Sequence, residues 1–180
     1  MKRNKRIGLF IGRFEPLTIG HCSIINDALS KVDQLIVAIG SSQSESTLKN
    51  PFNASLRTLM LSKVYEKEII EGNLLIALIP DRQHPKDDEE WGKYLLENVF
   101  KQTGIMPNVI FEGSETVRNY WFNESVDREI IDKKIIPISA TKVREYILNN
   151  DYDHFKEFMP KELNSQEFFI ILKKIIDKVK

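Results

Sequence analysis

The sequence has little of several things that would otherwise settle its class. Of its 180 residues only Cys22 is a cysteine, so an intramolecular disulfide is impossible and no cysteine-based zinc cluster can form. Net charge is missing too: 26 Lys+Arg against 26 Asp+Glu leaves a formal charge of zero. Overall electrostatics therefore give no pull toward nucleic acid or an anionic membrane, although a local basic site stays open. No apolar run approaches the roughly eighteen residues of a membrane span. The basic start, Met1 to Arg6, leads into an apolar run that stops at Gly12-Arg13. That is too short for a signal-peptide core, and a cytoplasmic protein is expected. What is present suits a globular chain, with 42% hydrophobic and 9% aromatic residues. A chain this long buries about 70% of its unfolded surface, enough for a core. One domain over residues 1–180 is expected, with a body over about 6–150 and a helical tail over about 151–180.

Short apolar runs alternate with segments of helical period. Strands are predicted at Ile7–Ile11, Leu35–Ile39, Leu74–Ile79 and Val109–Phe111, with a short fifth at Ile135-Ile136. Helices are predicted over about Gly20–Lys31, Ala54–Lys67 and Asp88–Gln102, and from near Thr141. Unbroken apolar strands are buried on both faces, and helical crossovers force parallel pairing. The expectation is an α/β fold: a Rossmann-like, doubly wound parallel sheet of about five strands with helices on both faces. In the tail, Phe168, Phe169, Leu172, Ile175, Ile176 and Val179 share one helical face. A helix docked on the body explains that stripe; a dimer contact is the alternative.

In open α/β sheets, ligands bind beyond the carboxyl ends of the strands. Beyond the first strand stands Gly12-Arg13-Phe14-Glu15-Pro16-Leu17-Thr18-Ile19-Gly20-His21. It is neither a Gly-x-Gly-x-x-Gly fingerprint nor a Gly-x-x-x-x-Gly-Lys-Ser/Thr loop, which disfavours dehydrogenases and kinases of those types. Thr18 and His21 lie on one face of the helix that starts here. Main-chain N–H groups at a helix start attract phosphate, and Gly20 permits close approach. A hydroxyl, an imidazole and the Arg13 guanidinium would make a polyphosphate cradle; a Thr N-cap beside a surface His is the alternative. Pro137-Ile138-Ser139-Ala140-Thr141-Lys142-Val143-Arg144 repeats the hydroxyl-plus-Arg logic after a later strand. That repetition favours the cradle.

Together, Thr18-Ile19-Gly20-His21 and Ile138-Ser139-Ala140-Thr141-Lys142-Val143-Arg144 resemble the paired signatures of the nucleotidyltransferase superfamily. Gly12-Arg13-Phe14-Glu15-Pro16, Gly40-Ser41-Ser42-Gln43, Asn50-Pro51-Phe52 with Arg57, Pro80-Asp81 with Trp91, and Gly113-Ser114 narrow the resemblance to archaeal-type nicotinamide-nucleotide adenylyltransferases. It spans about residues 6–150 and departs at two positions: Glu15, where the family usually has Gln, and Thr18, where it usually has His.

The resemblance implies attack by a mononucleotide phosphate, in the first place that of nicotinamide mononucleotide, on the α-phosphorus of ATP. It places His21 and Thr18 on the ATP phosphates, Arg144 with Ser139 and Thr141 on the β/γ end, and Arg13 between the two phosphates. ATP contacts extend to Gly12, Phe14, Gly20 and Ile138, and mononucleotide contacts to Gly40, Ser41, Arg57, Asp81, Trp91 and Gly113. Trp91 would stack on the nicotinamide ring, or else be a core residue; Asp81 would accept from the carboxamide, or else sit in a turn. Mg²⁺ would travel with ATP, with no carboxylate cage of its own. A homo-oligomer is expected, without nucleic-acid or membrane partners.

Asp87-Asp88-Glu89-Glu90 reads as a solvated first turn complementing the helix dipole. His84 and His154 lack partners at metal-ligand spacing. Cys22 and His21 face apart as consecutive helical residues, so no catalytic Cys-His pair is expected. The alternatives are a nucleotidyltransferase for another phosphorylated acceptor, such as nicotinate mononucleotide or phosphopantetheine, and a nucleotide-sensing module without turnover.

Overall fold

The computed structural model describes residues 4–82, 88–112, 126–130 and 139–179. Among these residues five parallel strands form one sheet: β1 (Ile7–Gly12), β2 (Gln34–Ile39), β3 (Leu74–Leu78), β4 (Val109–Glu112) and β5 (Asp127–Ile130). Their order is β3-β2-β1-β4-β5. The helices are α1 (Ile19–Lys31), α2 (Ala54–Val64), α3 (Glu66–Ile70), α4 (Asp88–Thr103), α5 (Ala140–Leu148), α6 (Tyr152–Phe158) and α7 (Gln166–Asp177).

Side chains alternate across a strand, so each central strand feeds two cores. Phe10, Val37 and Ile39 pack with buried residues of α1, α2, α5, α6 and α7. Leu9, Ile36, Ala38, Ala77 and Ile110 face the other way, onto Leu95 and Val99 of α4. All six residues of β2 are buried, as an apolar central strand requires. The sheet is doubly wound.

The strand expected at the apolar pair Ile135-Ile136 lies outside the described residues. Among the described strands, Asp127–Ile130 takes the edge beside β4. An edge strand need not be an apolar run: Glu129 pairs with Arg6 and, at 3.3 Å, with Lys31. The helix expected over 54–67 breaks at Tyr65 into α2 and α3. The tail folds into α6 and α7, and Phe168, Phe169, Leu172 and Ile176 join the core that contains Phe10 and Phe155. No helix among the described residues is long and apolar enough to cross a membrane.

Sequence order runs from β1 outward to β3, then crosses back to β4 on β1's other side. The crevice outside the carboxyl ends of β1 and β4 is therefore the topological switch point, where such sheets take ligands.

Candidate active site

Beyond β1 the chain turns sharply. Phe14 has φ 54 and is buried, and its ring lies against Gly12, where an added Cβ would come within 2.9 Å of Cζ. Glycine is required there by contact. The turn sends Arg13 outward, where its Nη1 donates to Asn50 Oδ1 at 3.3 Å, and sends Glu15 inward.

Thr18 is the extended N-cap of α1. Its main-chain N–H donates to His21 Nδ1 at 3.1 Å, and its Oγ1 lies 2.9 Å from the same nitrogen. A main-chain N–H can only donate, so Nδ1 is the acceptor and the neutral ring carries its proton on Nε2. The imidazole also meets the Phe14 ring edge-on, at 5.1 Å between centroids. Motif spacing alone puts Thr18 and His21 jointly on a ligand. Thr18 is instead 1% exposed and its hydroxyl turns to His21, because the N-cap side chain folds back over the helix start. Gly20 is half-buried in the same first turn.

At the second motif, Ser139 caps α5, accepting from Lys142 N–H at 3.2 Å. Arg144 Nη2 donates to Thr141 Oγ1 at 3.2 Å, and Nη1 donates to the main-chain oxygen of Glu15 at 2.7 Å. The last bond joins residues 129 positions apart. It brings the second motif onto the turn that begins the first. Burial lowers the Arg144 pKa, the Glu15 carboxylate pulls it up, and Arg13 lowers it again.

Arg57, expected to line the mononucleotide site, lies beneath it. Its side chain has no exposed surface, and its guanidinium donates to the main-chain oxygens of Arg13, Gly40 and Ser41 at 3.1, 2.8 and 2.9 Å. Nε stands 3.3 Å from Glu15 Oε1, and Glu15 Oε2 accepts from Phe52 N–H at 3.0 Å. Burial pushes the Glu15 carboxyl up to about 7, against the opposing pull of Phe52 N–H and the three arginines, Arg57, Arg144 and Arg13.

At the ends of β2 and β3, Asp81 accepts from Ser41 Oγ (3.0 Å), Gln43 Nε2 (3.3 Å) and Ser44 Oγ (3.4 Å). Its own N–H donates to Gln43 Oε1 at 2.8 Å. Asp81 thus holds the loop that leaves Gly40. Trp91 is half-buried against the α4 side of the sheet, with Tyr94 at 5.5 Å, and Arg82–Glu90, at 2.8 Å, links the segment after β3 to the start of α4. Gly113 and Ile138 lie outside the described residues. Burial raises the Cys22 pKa to about 11, so this thiol is no nucleophile.

The structure therefore gathers Gly12, Arg13, Phe14, Thr18, Gly20, His21, Ser139, Thr141 and Arg144 around one crevice, with Gly40, Ser41 and Asp81 beside it. Asn50, which holds Arg13 at the crevice, is a residue that sequence reasoning misses. Only its place before Pro51, in a segment that itself resembles the family, could mark it.

Residues 9–146 match the cytidylyltransferase-like family. Nicotinamide-nucleotide adenylyltransferase of Thermococcus onnurineus (strain NA1) is 30% identical over 159 residues, covering 87% of this chain and 79% of the relative. The enzyme of the same name from Thermococcus sibiricus is 31% identical over 162 residues, covering 87% and 80%. The chain belongs to the archaeal-type nicotinamide-nucleotide adenylyltransferase family.

Solved structures show the same fold. A bifunctional NMN adenylyltransferase/ADP ribose pyrophosphatase from Francisella tularensis, complexed with AMP and a Mn ion, superposes with a TM-score of 0.72 at 24% identity. NadR protein in complex with NAD and AMP-PNP superposes at 0.62 and 19%. These alignments cover 96% and 89% of this chain but only 49% and 46% of those chains, so it spans about half their length. In this adenylyltransferase family member, Thr18 and Glu15 hold positions that serve the turn from within.

Proposed function

We propose that the protein transfers the adenylyl group of ATP to nicotinamide mononucleotide, forming NAD and pyrophosphate. The observation that carries this reading is the Arg144–Glu15 bond, which joins the two nucleotide-binding motifs at the switch-point crevice. A phosphate monoester has its second pKa near 6, so the mononucleotide arrives largely dianionic and needs no general base. One of its phosphate oxygens attacks the α-phosphorus of ATP; the new P–O bond forms as the α–β bridge bond breaks and pyrophosphate leaves with that electron pair.

The chain's task is to hold two anions together and stabilise the charge that develops on the departing phosphates. His21, with Nδ1 occupied by the Thr18 N–H, offers Nε2–H as a neutral donor. Arg144 and the N-terminus of α5 take the β/γ end, and Arg13, outward and steadied by Asn50, spans the two phosphates. Mg²⁺ enters as part of the ATP substrate, carried by phosphate oxygens and water. The arginine-rich donor set suits a metal delivered by its nucleotide. The same reading takes the chain as one cytoplasmic domain, supported by the tail helix sharing the core of the sheet. It takes the chain as a homo-oligomer, supported by the exposed Ile170 and Ile171 of α7.

The test is NAD formation from ATP, Mg²⁺ and nicotinamide mononucleotide, with pyrophosphate release measured in parallel for nicotinate mononucleotide and phosphopantetheine. NAD is the expected product. No NAD above a protein-free control, with turnover of another acceptor, would reassign the substrate.

A further inference from the structure

Below the phosphate-facing residues lies a buried ion pair that has no part in making or breaking bonds. Arg57 of α2 holds three main-chain oxygens, one from the turn after β1 and two from the end of β2, at 2.8 to 3.1 Å. Glu15 stands against its Nε and also holds Phe52 N–H, at the segment entering α2. Arg144 is fastened to the same residue through its carbonyl. One cation and one carboxylate thus tie together the backbone segments that present Arg13 and Ser41 and the segment entering α2, and Arg144 reaches the first of these through the Glu15 carbonyl.

Two features separate this arrangement from ordinary core filling. A guanidinium has five N–H groups in a fixed plane, so three oxygens converging on it have their mutual spacing dictated by its geometry. An ionised pair is also a poor choice for stability alone, since well-packed apolar residues of similar volume often serve as well or better. Burial works against the Glu15 charge. The pair nonetheless lies directly under the crevice rather than elsewhere in the core.

We propose that Glu15 and Arg57 are positioning residues for adenylyl transfer: they fix the separation between the β1 turn, carrying Arg13, and the β2 loop, beginning at Ser41, so that the two substrates meet at reacting distance. The inference rests on the adenylyltransferase reading above. Both residues act through the backbone they hold, not by touching substrate.

The test is a comparison of binding with turnover. Arg57→Lys keeps the charge but replaces a planar fork with a single point of donation. Each substrate alone should bind this variant with a Kd within about threefold of wild type, while kcat falls about 30-fold or more, because a 1 Å misplacement costs on the order of 10²-fold. Glu15→Gln should show the same split more weakly, and the double variant should be no slower than Arg57→Lys, as for residues acting as a unit. Without substrates, hydrogen exchange should accelerate at Gly40–Ser44 and at Phe52 but not in β4 or α7. A kcat for Arg57→Lys within about threefold of wild type, parallel loss of kcat and both affinities, or additive effects in the double variant would overturn the proposal. Should Arg57→Lys fail to fold, Glu15→Gln decides: normal kcat with unchanged exchange overturns it. Should the wild-type protein form no NAD, the adenylyltransferase reading fails on that result alone. Exchange then still judges the pair, and unchanged rates in both variants sink it.

Discussion

The N-termini of α1 and α5 face the same crevice but are built differently. At α1 everything is local: Thr18 is buried, and its own N–H fixes His21 three residues on. At α5, Ser139 and Thr141 are exposed, and the orientation of Arg144 depends on a carbonyl 129 positions away. The α1 donor is neutral and held before any ligand arrives; the α5 donor is charged and tethered to another segment. A fixed neutral donor suits charge that appears only during reaction, since it needs no rearrangement at that moment. A tethered cation suits an anion charged throughout, where attraction acts in ground and transition states alike.

The largest expected effect lies at α1. His21→Ala should lower kcat by about 10² to 10³, the range for losing a donor aimed at developing charge. Stability should change by no more than about 1 kcal/mol, because the half-buried ring at a helix start gives up the Thr18 N–H bond and its edge contact with Phe14. Steady-state kinetics beside a thermal melt separates the two. Near-normal turnover, or activity lost only through unfolding, would erase the difference between the helix starts.

Next in size is a pH effect at the turn that joins them. The Glu15 carboxyl rises from 4.5 to about 7 on folding, so between those values the folded state binds a proton that the unfolded state lacks. Stability from this group is complete below about pH 4.5 and is lost as pH rises through about 7. Each tenfold change in proton affinity is worth about 1.4 kcal/mol, so the loss across this window is on the order of 3 kcal/mol. The groups facing the carboxylate are Arg57 from α2, Arg144 from α5, Arg13 from its own turn and the Phe52 N–H. Glu15→Gln cannot titrate, so denaturant melts from about pH 5 to 8 should show wild type losing stability relative to that variant. Parallel curves would mean Arg57 keeps the carboxylate ionised throughout.

Much of this was legible in the sequence, for reasons that also explain what was not. β1 and β2 are central, so their apolar runs announce them, and the first motif marks the strand end it follows. Among the described strands β5 lies at the edge, its Glu129 reaches Arg6 and Lys31, and nothing in its composition signals a strand. The tail helix was readable from its stripe. The direction of individual side chains was not. Arg57 resembles a ligand-facing arginine in sequence, yet its three carbonyl partners exist only once β1 and β2 lie side by side. Glu15 stands out in sequence only as a departure from the family's usual Gln; that it turns inward to Arg57, 42 positions on, required the fold.

Arg144→Lys should have a smaller effect, about 10- to 30-fold in kcat/KM, mostly as a raised KM for ATP. A lysine keeps the charge but cannot bond the Glu15 carbonyl and Thr141 together while facing an anion. A fall confined to kcat would show that Arg144 acts on developing charge as His21 does, and the two helix starts would then share one role.

The smallest predicted effect separates the role that family resemblance implies for Thr18 from the one the structure gives it. Thr18→Val preserves shape and suits the extended backbone there, φ −122 and ψ 164. It removes only the hydroxyl. If that hydroxyl bound ATP phosphate, its loss would raise the KM for ATP and slow turnover together. In the structure the hydroxyl lies 2.9 Å from His21 Nδ1, and the main-chain N–H, at 3.1 Å, survives the substitution. His21 should then keep its tautomer and lose one of the interactions that hold the ring, worth about 1 kcal/mol. The expected result is a kcat about fivefold lower with the KM for ATP unchanged. Thr18→Val combined with His21→Ala should be no slower than His21→Ala alone, because a residue acting only through the imidazole has nothing left to orient. A double variant slower by the full fivefold would place the hydroxyl on the nucleotide after all, and α1 would then present two ligand contacts where the proposed mechanism needs only His21.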